Sequence, residues 1–91
     1  MTAKRLVIRG RVQGVGYRYS MVDAAMASGV TGWVRNRRDG SVEALVQGEP
    51  AAIESIIAWC RGGPSTARVS AIDAIDATDE LVTGFELRPT V

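Results

Sequence analysis

Arginine, glycine and amide residues crowd into one short segment, Arg11-Val12-Gln13-Gly14-Val15-Gly16-Tyr17-Arg18, between an apolar, strand-like run and a helical stretch. Gly14 and Gly16 can take positive φ, which lets successive backbone N–H groups turn toward a common point. Placed at a helix N-terminus, such a loop attracts anions. Arg11 and Arg18 flank it, and an arginine in the first helical turn opposes the helix dipole unless an anion offsets its charge. The loop therefore asks for a phosphate or a carboxylate. Two glycines alone would equally make a plain tight connection; the arginines favour a site. The segment lacks the Gly-x-x-x-x-Gly-Lys-Ser/Thr pattern of a nucleotide P-loop, and a lone Gly-x-Gly is a weak dinucleotide signal.

The surrounding elements decide what else faces that anion. Residues 4–10 alternate, with Leu6 and Ile8 on one face and Arg5, Val7 and Arg9 on the other, as in a half-buried strand. From Arg18 to about Ser28, Val22, Ala25 and Met26 recur at helical spacing, and Gly29 suits the position after a helix end. Val30–Arg37 and Ser41–Gln47 form two β-rich runs around Asp39-Gly40 and predict a hairpin. A two-residue Asp-Gly loop would set Val34 opposite Leu45, on the wrong face. A three-residue loop, Arg38-Asp39-Gly40, with Gly40 left-handed, pairs Val34 with Ala44, Gly32 with Val46 and Asn36 with Val42. It also sets Arg35 against Glu43 as a favourable charge pair. Asn36 then lies on the helix-covered face.

Pro50 opens a second helix whose Ile53, Ile56, Ile57 and Cys60 share one side, and Gly62-Gly63-Pro64 ends it. Val69–Ile75 and a run around Phe85 and Leu87 predict closing strands. The order β-α-β-β-α-β predicts an α+β, ferredoxin-like sandwich. Its four-stranded antiparallel sheet would carry both helices on one face, in a single domain over residues 1–91. A right-handed crossover makes the first two strands of the sequence parallel, so their C-terminal ends share an edge. The glycine loop leaves one strand there, and Asn36 lies near the end of the other. An asparagine at a strand end is ordinary; its inward face makes it a candidate partner of the bound anion.

Composition narrows the chemistry. The 91 residues hold no histidine and one cysteine, which excludes Ser-His and Cys-His nucleophilic pairs, His-ligated zinc and an internal disulfide. Cys60 lacks an arginine at the spacing of a Cys-x5-Arg phosphatase loop and reads as core filler. Asp73, Asp76, Asp79 and Glu80 do not match an EF-hand and read as a solvated edge. Residues 1–48 carry eight basic and three acidic groups, while residues 49–91 carry three and seven, so positive charge gathers around the loop. Five aromatics and a net charge of +1 argue against a nucleic-acid surface. No apolar run reaches the roughly 20 residues of a membrane span. A soluble, cytoplasmic, monomeric protein is expected.

The motif residues resemble those of the acylphosphatase family. Gly10 through Arg18 resembles its first signature, and Gly32-Trp33-Val34-Arg35-Asn36, continuing through Gly40, Val42 and Gly48, resembles its second. The resemblance implies hydrolysis of acyl phosphates, R-CO-O-PO3, to a carboxylate and inorganic phosphate. It assigns Arg18 to the phosphoryl group and Asn36 to the attacking water. The backbone N–H groups of Gln13, Gly14, Val15, Gly16 and Tyr17 would complete the phosphate cradle. The segment Arg88-Pro89-Thr90-Val91 departs from relatives that end in a strand with a late aromatic. No cofactor or metal is expected, and inorganic phosphate should act as product and competitive inhibitor.

The chemistry agrees. An acyl phosphate expels a carboxylate whose conjugate acid has a pKa of about 4 to 5, so it needs no general acid. A loose phosphoryl-transfer transition state demands little deprotonation of the entering water, so a neutral amide can stand where a base is usual. Two alternatives compete: a carbamoyl-phosphate domain of the kind embedded in hydrogenase-maturation carbamoyltransferases, and a non-catalytic ferredoxin-like module that binds phosphate or RNA.

Overall fold

A computed structural model describes Met1–Val91. The elements are β1 (Thr2–Arg11), α1 (Tyr17–Ser28), β2 (Thr31–Asn36), β3 (Val42–Gly48), α2 (Pro50–Gly62), β4 (Arg68–Asp76) and β5 (Phe85–Leu87). One sheet has the order β4-β1-β3-β2-β5. Its inward residues Leu6, Ile8, Val34, Val42, Ala44 and Val46 join Tyr17, Met21 and Ala25 of α1 and Ile53, Ile56 and Cys60 of α2 in a single core. Both helices thus cover one face, and β1 and β2, each antiparallel to β3, run parallel to one another.

The expected four-stranded antiparallel sheet becomes a five-stranded mixed one. β5 lies outside β2 and pairs with it in parallel, Gly32 with Phe85 and Val34 with Leu87. To get there, the chain crosses from the β4 edge to the β2 edge through residues 77–84. The Gln47 amide straps that crossing: it donates to the Glu80 carbonyl at 2.8 Å and accepts from the Glu80 N–H at 3.0 Å. Gly84 then accepts from Gly32 N–H at 3.0 Å, and Arg88 N–H donates to Val34 O at 2.9 Å. Three residues of strand are too few for alternation to disclose the direction of pairing. The pairing runs on past β5, since Val91 N–H donates to Asn36 O at 3.1 Å and Val91 O accepts from Arg38 N–H at 2.8 Å. The unusual terminal segment is thus tied to the hairpin.

The hairpin has the expected register, with Val34 opposite Ala44, Arg35 opposite Glu43 and Asn36 opposite Val42. Arg37 N–H donates to Ser41 O at 2.8 Å, which closes a three-residue loop in which Gly40 has φ +94°. On the outer sheet face, Glu43 accepts from Arg5 Nη1 and Arg35 Nε, both at 2.7 Å. Burial works against this carboxylate, but the two hydrogen bonds and the Arg35 and Arg37 charges outweigh it and hold its pKa below the ordinary value. The Arg35 and Arg88 guanidiniums both stack near Trp33 on the same face, 4.5 and 5.0 Å from its ring centre.

Helix α1 is rotated from its expected orientation. Tyr17, Met21 and Ala25 are buried at i, i+4 and i+8, while Met26 is 64% exposed and Val22 only partly covered. Tyr17 sets the rotation, because its ring is the largest fully buried side chain and its hydroxyl donates to Cys60 O at 2.7 Å. Gly63 makes room for it, since a Cβ there would stand 2.6 Å from the ring. Gly29 ends the helix at φ +73°, as its sequence position implied.

Candidate active site

The loop begins where β1 is deformed. A bulge between Arg9 and Gly10 shifts the β1–β4 register, and Gly10 sits at φ +129° with its missing Cβ aimed into the Arg68 carbonyl. Only glycine fits there. Just before the bulge, Ile72, Ile8, Val42 and Asn36 stand in one row across the sheet. The loop therefore leaves β1 at the same edge at which Asn36 ends β2.

Gly14 and Gly16 have φ of +73° and +79°, the left-handed conformation that turns neighbouring N–H groups together. Nothing lies within 4 Å of a Cβ built on either, so their requirement is conformational and the loop's surface stays open. Gly16 is also the N-cap of α1, which has neither a side-chain cap nor an acidic residue in its first turn. Its first backbone donors are free for an anion. Gln13, Val15 and Tyr17 offer the loop their backbones, because their side chains are engaged elsewhere. The Gln13 amide donates to Arg37 O at 2.7 Å and Ser41 O at 2.9 Å, Val15 packs on the core, and Tyr17 lies within it.

Arg18 is half-buried and makes no ion pair or side-chain hydrogen bond; its guanidinium carbon lies 5.8 Å from the centre of the Tyr19 ring. Asn36 is held by its backbone, whose carbonyl accepts from Val91 N–H. Its side-chain Oδ1 is buried and has no hydrogen-bond partner, the one such atom in the molecule. A buried acceptor without a partner costs free energy, roughly 1–3 kcal/mol, and such an atom has an unmet use. Neither Arg18 nor Asn36 lines any of the three cavities. Arg11, expected to flank the same point as Arg18, instead lines a cavity beside the loop with Gly14, Val15, Ser65, Thr66 and Arg68. Cys60 is buried on α2, its thiol pushed up to about 12 by burial, with Met21 Sδ at 3.9 Å.

Sequence reasoning placed Asn36 through the hairpin register but missed the Gln13 clasp and the Val91 bonds. An amide in an otherwise aliphatic and glycine loop was the available signal for the first. The second depends on β5, whose partner strand no local pattern discloses.

The acylphosphatase family model matches residues 4–87. The chain belongs to the acylphosphatase family. An acylphosphatase of Azoarcus sp. (strain BH72) is 52% identical over 90 residues, covering 99% of this chain and 92% of that one. One of Albidiferax ferrireducens is 54% identical over 84 residues, covering 92% and 90%. The crystal structure of the acylphosphatase from Bacillus subtilis superimposes with a TM-score of 0.93 at 34% identity, over 97% of this chain and 99% of that one. Full-length HypF in its phosphate- and nucleotide-bound form contains the same fold, with a TM-score of 0.90 at 25% identity, but only 12% of that chain is covered. The acylphosphatase fold is thus found both by itself and within a much larger chain. This acylphosphatase has the ferredoxin-like sandwich of its structural relatives and is a hydrolase of that family.

Proposed function

We propose that hydrolysis of acyl phosphates here proceeds by positioning and electrostatics, with Arg18 and the loop N–H groups of residues 13–17 on the phosphoryl oxygens and Asn36 on the attacking water. The observation that carries this reading is the buried, unpartnered Asn36 Oδ1. An acceptor there can take one hydrogen bond from a water and fix the direction of its lone pair. The water oxygen bonds to phosphorus as the P–O bond to the acyl group breaks. That bond's electrons leave on the carboxylate, and the water's protons pass to phosphate oxygen and solvent. Arg18, without a carboxylate partner, meets the charge on the transferring group.

The direct test is turnover of acetyl, carbamoyl and 3-phosphoglyceroyl phosphates by the purified chain, with inorganic phosphate as competitor and a chelator present. Hydrolysis of acyl phosphates but not of a phosphate monoester, competitive inhibition by phosphate and indifference to chelator are expected. Binding of phosphate without turnover would favour the non-catalytic module. Loss of the rate in chelator with recovery on added metal would overturn a mechanism that relies on Arg18 and backbone donors. Sedimentation of the same sample tests the expected monomer, and fractionation of the source cells tests the expected cytoplasmic location.

A further inference from the structure

The bulge that launches the loop also does something costly. Regular pairing beyond Arg9 and Ala71 would set Arg11 opposite Val69; the shift skips Ser70 and sets Arg11 directly opposite Arg68. Like charges facing each other across strands are destabilising, and neither arginine has a carboxylate partner. The cavity they line, about 420 Å³, contains no acidic residue. Arg68 is already held, with Nη1 donating to Ala67 O at 3.0 Å, and its other guanidinium donors stay open. Thr66, which also lines the cavity, donates a hydrogen bond to Val15 O at 2.7 Å. Gly14 belongs both to this cavity and to the phosphate loop.

We infer that the Arg11–Arg68 cavity is a second anion site, one that receives a carboxylate or phosphate on the acyl part of the substrate. This deepens the acylphosphatase reading above and rests on it. A phosphoryl group held at the loop leaves the acyl chain free to pass over Gly14 into a space lined by two arginines. The cavity is of the size that small-molecule sites use. An anion there offsets the repulsion that the bulge creates, so the favoured substrates are acyl phosphates with a second negative group.

The experiment compares 3-phosphoglyceroyl phosphate, whose acyl part is charged, with acetyl phosphate, whose acyl part is not. Arg68→Gln, checked for folding by circular dichroism, is expected to raise KM for the charged substrate about tenfold, the worth of one charge-assisted contact. KM for acetyl phosphate, kcat on both, and the inhibition constant of inorganic phosphate should stay within twofold. Arg68→Lys should recover part of the loss. Equal changes on both substrates, or no change on either, would overturn the inference; so would a parallel shift in phosphate inhibition, which would put Arg68 in the phosphoryl cradle itself. If the parent protein hydrolysed neither substrate, the acylphosphatase reading would fail before any variant was made.

Discussion

Gln13 and Arg37 are joined side chain to backbone: one amide nitrogen of Gln13 reaches Arg37 O at 2.7 Å and, from the same atom, Ser41 O at 2.9 Å. The loop that would hold the phosphoryl group is thereby fastened to the residue next to Asn36. Gln13→Ala removes both bonds and leaves each carbonyl with its one backbone donor, Gly40 N–H on Arg37 O and Arg37 N–H on Ser41 O. A loss of about 1–2 kcal/mol of stability is expected, with kcat on acetyl phosphate falling about tenfold or more as the two halves of the site drift apart. Urea titration and steady-state kinetics measure the two effects, and an unchanged kcat would make the clasp merely structural.

Arg18 and Asn36 should fail in different ways. Arg18→Gln removes charge from the phosphoryl group in ground and transition states, so phosphate inhibition should weaken and kcat fall together. Asn36→Ala leaves the cradle intact and loses the water, so kcat should drop at least 100-fold while the phosphate inhibition constant moves less than twofold. Both variants need a circular dichroism check. An Asn36→Ala enzyme with the parent rate would reduce Asn36 to an ordinary strand-end residue.

Cys60 should be inert. Its thiol is fully buried and pushed up to about 12, so iodoacetamide at pH 8 should not label the native chain, whereas the urea-unfolded chain should react fully. Cys60→Ala is expected to lose about 1–2 kcal/mol through the cavity left beside Met21, with kcat retained. Mass spectrometry after labelling and an activity assay decide the matter. Abolished turnover in a folded variant would return a thiol to the mechanism.

Acid should weaken the fold through Glu43. Its carboxyl is held below the ordinary glutamate value of about 4.3, so between that value and its folded one the unfolded chain binds more protons. Stability is full above the ordinary value and falls as pH drops through the folded one. Glu43→Gln should lose about 1–2 kcal/mol at pH 7, since Arg5 and Arg35 lose a charged acceptor. It should also show a flatter dependence below pH 5. Denaturant midpoints from pH 7 to 3 test both, and equal acid slopes for parent and variant would remove Glu43 from the account.

Much of this geometry was legible because short-range rules and tertiary packing agree in the hairpin. Alternation of Val42, Ala44 and Val46 leaves one acceptable partner for Val34, and that choice turns Asn36 inward without reference to any other element. Helix α1 was less legible, because Val22, Ala25 and Met26 make a plausible stripe and only the anchoring of Tyr17 to α2 decides which side turns in. The place of Arg11 depended on a bulge, and a single glycine in a strand does not say which partner residue it will skip. The strand around Phe85 and Leu87 was legible but its partner was not: its hydrogen bonds to β2 are made by backbone groups, which are the same in every sequence.

The two bonds between Val91 and the hairpin give the site a timetable. Ribosomes deliver the phosphate loop, Asn36 and the β2–β3 hairpin early, yet the carbonyl of Asn36 and the N–H of Arg38 receive their partners from a residue made more than half a chain later. A nascent chain can therefore assemble β1, α1 and the hairpin while the residue that would align water is still untethered. Such long-range closure is slow compared with helix or hairpin formation. If Asn36 aligns the water, catalytic competence waits for the pairing of β5 and Val91 with β2, and fraying of that β5 edge removes it first.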